Sequence, residues 1–476
     1  MQRVAVHDNQ KVFALEDSTT HRIDASFLLM SSGGRFPDQQ KGTLAEQFVK
    51  VNRETLQEFE IDAYPRYDGR RMDLVLETQR QVGAVPLKSP TSGKPDYGFV
   101  VRPRFGWSGV GPVLANTGWR VVPEILHMPQ LPKSDREIPP WVLSSIVLPK
   151  MRDLLRNIDR DFEFVEEDRR APRGRVDWAT YASERMPRGR FLDVPCRYPD
   201  LRENRELLSA IHFALKRHRG ALQTQRGTGA FVQRLLTLCE RLLNRVGHVA
   251  PSRPGARQMG QWMQRSFGGD ERAEAIRAIQ WTVEERGLAG LGELQGLPWS
   301  LAMEEFFEAW LEFLAERMAR SFGGTVRTGR ERETLVPLHW EPAFAGTQGA
   351  LIPDIVIDRS DHTIILDAKY KRHFEELERG SWNAVADQVQ ERHRADLLQV
   401  LAYASTSDED RVTVCLVYPC KAETWRSLER RERVVYRAEL GAGARQVDLL
   451  LAAVPIGGVV EAVAELLGRR MQNSEF

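Results

Sequence analysis

The spacing of apolar positions changes twice along this chain. Up to about residue 125, short β-forming runs alternate with Gly and Pro. Phe99-Val100-Val101-Arg102-Pro103-Arg104-Phe105-Gly106-Trp107 and Gly118-Trp119-Arg120-Val121-Val122-Pro123 read as strands with tight turns, interrupted by a helical passage around Leu44 to Phe59. From about 126 to 285 the period becomes helical, over Trp141–Ile158, Leu207–Arg219 and Phe231–Val246. A Gly- and Pro-rich stretch, Gly287 to Pro298, reads as a linker. Beyond it, Leu301 to Arg320 carries Met303, Phe306, Phe307, Trp310, Phe313, Leu314 and Met318 on one helical face. Strands are predicted at Leu335–Trp340, Ile352–Asp358 and Thr363–Tyr370, then a helix at Arg394–Ala404 and a strand at Val412–Tyr418. The reading is an α/β (α+β) chain: a β-rich segment at 1–125, a mostly helical middle at 126–285, and an α-β-β-β-α-β unit within 298–476.

Composition narrows the function classes. A length of 476 residues suits two to three domains, and 42% hydrophobic with 28% charged residues excludes a mainly disordered chain. The 67 basic residues balance the 66 acidic ones, so net charge does not point to nucleic acid. A local excess does exist: between 185 and 272 there are 17 Arg or Lys against 7 Asp or Glu, which suits either solvated helix faces or nucleic-acid contact. Four cysteines, Cys196, Cys239, Cys415 and Cys420, make no CxxC pair and suit a reducing compartment. The first residues lack the apolar core of a signal peptide. The longest apolar stretch, Leu449 to Val460, is interrupted by Pro455, Gly457 and Gly458 and falls short of the ~20 residues of a membrane span. A cytoplasmic location with no membrane association is expected.

The residues that suggest chemistry lie in two β-branched runs around a polar loop. Ile352-Pro353-Asp354-Ile355-Val356-Ile357-Asp358 and Thr363-Ile364-Ile365-Leu366-Asp367-Ala368-Lys369-Tyr370 flank residues 359–362, as in a hairpin. If Asp358 faces Thr363, the register puts Asp354 opposite Asp367, with Cβ atoms ~4.5–5.5 Å apart. Lys369 then points to the same face as Asp367. Two carboxylates placed opposite each other repel, and burial worsens the repulsion. Mg²⁺, with Mn²⁺ as its substitute, would relieve it, because this ion binds through one or two carboxylates and keeps several waters. A bound water would be the nucleophile and Lys369 would orient it. The bland alternative is a solvated hairpin whose lysine bridges two aspartates.

Pro353-Asp354 followed by Asp367-Ala368-Lys369 resembles the signature of the PD-(D/E)xK, restriction-endonuclease-like nucleases. Gln399-Val400-Leu401-Ala402-Tyr403 is similar to the QxxxY motif of a subset of them. Asp396, Gln399 and Tyr403 share one helical face. Within that superfamily, Ile365 to Lys371, Asp396 to Gln399, Ala402 to Ala404, Leu416 to Pro419 and Phe306 to Trp310 resemble the McrC family, the endonuclease subunits of McrBC 5-methylcytosine restriction systems. The likeness is looser at Arg173–Trp178 and Cys196–Tyr198, and absent as motif from the first 120 residues.

The resemblance implies a metal-dependent deoxyribonuclease acting on double-stranded DNA in antiviral defence. Asp354, Asp367 and the Ala368 carbonyl would hold the metal. Lys369 would position water, and Gln399 and Tyr403 would brace the site. Glu308 would add a third acid from the first helix, with Glu305 as its rival and an exposed acidic face as the alternative. An AAA+ GTPase or ATPase of the McrB type would be the partner, docked on the N-terminal segment. No GxxxxGK[ST] phosphate loop occurs in this chain, which fits a separate motor. A stand-alone repair or mobile-element nuclease and a non-cleaving adaptor that activates the motor remain as rivals.

Overall fold

The computed structural model describes residues 2–4, 11–29, 38–69, 71–117, 120–121, 123–125, 141–156, 161–202, 204–224, 230–264, 269–283, 298–342, 346–360, 362–371, 387–442, 445–458 and 460–472. The linker expected at 287–298 lies outside them except for Pro298, as do Gly118, Trp119 and Val122 of one expected strand. Two compact units emerge, one built from 1–139 together with 295–476 and the other from 140–294.

In the first unit the N-terminal residues form two sheets. One orders its strands Gln2–Val4, Thr20–Asp24, Met72–Thr78 and Ile61–Tyr67. The other runs Val12–Glu16, Tyr97–Arg102, Gln81–Leu87, Trp299–Ala302 and Glu124–Ile125. The helix Asp38–Val51 packs with them around buried Phe13, Phe27, Phe48, Tyr97 and Phe99, whose rings meet edge to face.

Three expectations shift here. The Leu44–Phe59 helix is broken at Asn52. Its amide donates to the carbonyls of Phe48 and Lys88 and its Oδ1 accepts the Lys88 N–H, so a tertiary bond ends the helix. The strand through Phe99 stops at Arg102, because Pro103 donates no ladder bond and the helix Trp107–Asn116 follows. The helix expected from Leu301 begins at Met303, because Trp299–Ala302 is a strand pairing Gln81–Ala84. Gly83 makes that pairing close: it holds φ near +143°, and a Cβ there would lie 2.0 Å from the Trp299 carbonyl oxygen. Gly83→Ala should lower stability by more than ~1 kcal/mol, measurable as a reduced urea midpoint with unchanged slope.

The C-terminal residues of this unit form a six-stranded sheet in the order Thr325–Thr328, Ile355–Asp358, Thr363–Ala368, Arg411–Cys420, Arg445–Pro455 and Val435–Ala442. The first three strands are antiparallel, and the third and fourth are parallel. The helices Met303–Phe322, Asp387–Ala404 and Val460–Gln472 pack with the sheet strands. The α-β-β-β-α-β order holds, with one correction: the first strand is Thr325–Thr328, whereas 335–340 contributes only the short pair Val336–Pro337 with Ala350–Leu351. Thr325–Thr328 is a half-buried edge strand with one aliphatic residue, so its pattern carried little hydrophobic signal.

The second unit comprises helices at Trp141–Arg156, Arg205–Gln223, Ala230–Val246, Ala256–Gln264 and Gly269–Val283. It also holds a three-stranded sheet that its sequence pattern did not reveal, ordered Arg175–Val176, Val194–Arg202, Asp161–Arg169. Between and beside these strands Phe164, Trp178, Met186, Phe191 and Leu192 stand exposed. Among the described residues no helix is long and apolar enough to cross a membrane.

Candidate active site

The hairpin takes the register read from its sequence: Asp358 faces Thr363 and Ile355 faces Leu366. One step further, Asp354 leaves the ladder and its Oδ2 accepts the Ala368 N–H at 2.7 Å. The strand Thr363–Ala368 has a neighbour on each edge, and the helices Met303–Phe322 and Asp387–Ala404 pack with it, so it is buried along nearly its whole length. Asp367 is therefore fully buried, beside half-buried Asp354.

Burial pushes the Asp354 carboxyl well up, and the Asp367 charge and then Glu308 add to the effect. Burial likewise raises Asp367, opposed by Lys369. Lys369 Nζ stands 2.6 Å from Asp367 Oδ2, while Asp367 Oδ1 accepts no hydrogen bond among the described residues.

From Lys369 a polar chain runs outward. Its ammonium donates to Gln399 Oε1 at 3.1 Å, and Gln399 Nε2 donates to the Tyr403 hydroxyl at 2.7 Å. Both residues lie on the helix Asp387–Ala404, whose i, i+4 spacing brings them together. Asp396 shares this face but pairs with Lys371, 2.6 Å away, and accepts from the Tyr418 hydroxyl at 3.3 Å. This second ion pair had no motif to announce it beyond the helical spacing of Asp396.

The acidic residues of the first helix separate by environment. Glu304 pairs with Arg80, Glu312 is buried against Arg120 and Arg330, and Glu305 is exposed. Glu308 is half-buried, and desolvation raises its carboxyl to about 7. Its charge is felt by Asp354. Glu308 raises folding stability fully below about pH 4.5, and that contribution is lost as pH rises through about 7. Glu308→Gln should thus flatten the decline in melting temperature between those pH values. The effect has a ceiling of about 3 kcal/mol, reduced by solvent screening. An unchanged pH–stability curve would contradict this.

The structure thus gathers Asp354, Asp367, Ala368, Lys369, Glu308, Gln399 and Tyr403 around one strand end. Cys415 and Cys420, which flank the same region, are buried and in no disulfide among the described residues, as are Cys196 and Cys239. Among the described residues no group of three or more His, Cys, Asp or Glu side chains is arranged to hold a metal ion.

The site thus sits in a mixed α/β domain, with its acid pair at the end of a hairpin inside a six-stranded sheet. The family model "McrBC 5-methylcytosine restriction system component" matches residues 130–419, well over half of the chain, and the chain belongs to that family. Two solved structures are similar over long stretches. One is a half-complex from a tetradecameric assembly of Thermococcus gammatolerans McrB AAA+ hexamers with bound McrC: 12% identity over 96% of this chain and 98% of that chain, TM-score 0.41. The other is the Thermococcus gammatolerans McrBC complex: 12% identity over 64% and 88%, TM-score 0.27. No curated protein matches the chain.

Proposed function

We propose that this chain is the McrC-type endonuclease subunit of a modification-dependent restriction system. It would hydrolyse DNA phosphodiester bonds when assembled with an AAA+ GTPase. The observation that carries the reading is the Asp354–Asp367 pair, fully buried at Asp367 and half-buried at Asp354, with Lys369 in contact with Asp367. Such a pair is costly unless a cation joins it, and its all-oxygen chemistry fits Mg²⁺ or Mn²⁺.

Asp354, Asp367 and the Ala368 carbonyl would hold the ion. When bound, that ion supplies a water of lowered pKa and charge stabilisation at the scissile phosphate. The protein's own contribution is orientation. Asp367 and Gln399 hold the Lys369 ammonium between them, so it can direct the attacking water and offset phosphate charge. Tyr403 locks the Gln399 amide. Glu308, poised near neutrality, can accept a proton at the edge of the site. The absence of a phosphate loop and the family membership support a separate nucleotide-driven partner.

The test is cleavage of methylated and unmethylated plasmid with Mg²⁺, by the chain alone and with its AAA+ partner plus GTP or ATP. Cutting of methylated DNA only with partner and nucleotide supports the proposal. Cutting by the chain alone points to an independent nuclease. Acceleration of the partner's NTPase without any cutting points to an adaptor.

A further inference from the structure

We infer that Arg104, delivered by the N-terminal sheets, is a positioning residue for Lys369; the inference rests on the nuclease reading above. Strand pairing holds Lys369 on one side, through its N–H to the Val417 carbonyl at 2.8 Å, and its own carbonyl accepts the Lys371 N–H at 2.7 Å. The regular strand ends at Ala368. On the other side Tyr370 is the anchor, and Arg104 fixes it. Arg104 Nη2 donates to the Tyr370 carbonyl at 2.9 Å, and its guanidinium lies over the Tyr370 ring, 4.5 Å from the centroid. Phe105 meets the same ring edge-on at 5.7 Å, and Phe307 lies against it at 6.4 Å.

Arg104 is itself aimed by Asp17. The two side chains are 3% and 0% exposed, with Nε 3.6 Å from Asp17 Oδ2, and the Arg104 N–H donates to Asp17 Oδ1 at 2.5 Å. A buried pair of this kind adds little net stability over an apolar replacement, because both ions lose water. What it does supply is direction. A planar guanidinium can reach a carboxylate, a carbonyl and a ring face at once, which an ammonium cannot. Lys369 is the residue next to the carbonyl so held, and a displacement of about 1 Å at a reacting group costs on the order of 10²-fold in rate.

The test uses the full chain with its AAA+ partner and three variants: Arg104→Gln, Arg104→Lys, and Asp17→Asn with Arg104→Gln. The last removes both charges together, so the fold has no orphaned ion. Cleavage of methylated duplex is followed as kcat and KM, beside hydrogen exchange of residues 366–371 and melting temperature. The expected result is a kcat lowered about 10–100-fold in every variant, KM within about twofold of wild type, and faster exchange confined to 366–371. Arg104→Lys should recover melting temperature more fully than kcat. A folded double variant with wild-type kcat and unchanged exchange at 366–371 would overturn the inference. If the wild type cuts nothing, the nuclease reading fails separately, and the exchange data alone decide whether Arg104 fixes Lys369.

Discussion

Asp367→Asn is expected to abolish DNA cleavage while leaving the metal-free protein at least as stable as the wild type. The two effects share one cause. Asp367 is fully buried, raised by desolvation, and has an oxygen that accepts no hydrogen bond among the described residues. In chelator its charge is a cost, since its raised carboxyl stabilises the fold only at low pH and loses that contribution as pH rises through the folded value. The isosteric amide removes this cost without opening a cavity, which alanine would do. With Mg²⁺ the order reverses. Wild type should gain about 2.7 kcal/mol at a hundredfold excess over the dissociation constant, and the Asn variant much less. Losing several kcal/mol of charge stabilisation in the transition state amounts to roughly 10³-fold in rate, at ~1.36 kcal/mol per decade. Thermal melts in EDTA and in Mg²⁺, run beside plasmid cleavage, read both effects. A variant that binds Mg²⁺ normally or cuts at wild-type rate would remove Asp367 from the proposed metal site.

The second large effect belongs to the helix behind the site. Trp310→Ala should destabilise the unit that holds the site by about 3–5 kcal/mol. Trp310 is wholly buried, stacks on Phe313 with centroids 6.0 Å apart, and donates its Nε1–H to the Pro455 carbonyl at 3.0 Å. It therefore ties the helix that carries Glu308 to the end of the strand Arg445–Pro455. Trp310→Phe keeps most of the packing and loses chiefly the hydrogen bond, for a smaller cost of about 1 kcal/mol. Urea denaturation followed by circular dichroism separates the two. Equal midpoints for the two variants would show that the indole hydrogen bond, not packing volume, sets the helix in place.

The local sequence was most informative where chemistry and secondary structure coincide. The four-residue loop 359–362 between Ile355–Asp358 and Thr363–Ala368 set the hairpin register, which placed Asp354 beside Asp367 and Lys369 on the same face. Helical spacing placed Gln399 over Tyr403, and the hydrogen bond between them follows from that spacing. It was least informative where a strand has little apolar content, as at Thr325–Thr328, or where a short run is claimed by a distant partner, as at Trp299–Ala302.

By itself, then, the sequence determined the α/β class, the α-β-β-β-α-β order and the residues that could carry catalysis. These depend on periods and spacings within about 20 residues, which backbone geometry translates directly into faces and neighbours. Only the tertiary structure decided the rest. It buried Asp367 completely, in a strand with a neighbour on each edge and two helices packed with it, and it sorted half-buried Glu308 from exposed Glu305. It also brought Arg104 onto Tyr370 across 266 positions of chain. Burial and long-range ion pairing depend on which surfaces exclude water together, and that is a property of the packed chain that no local spacing encodes.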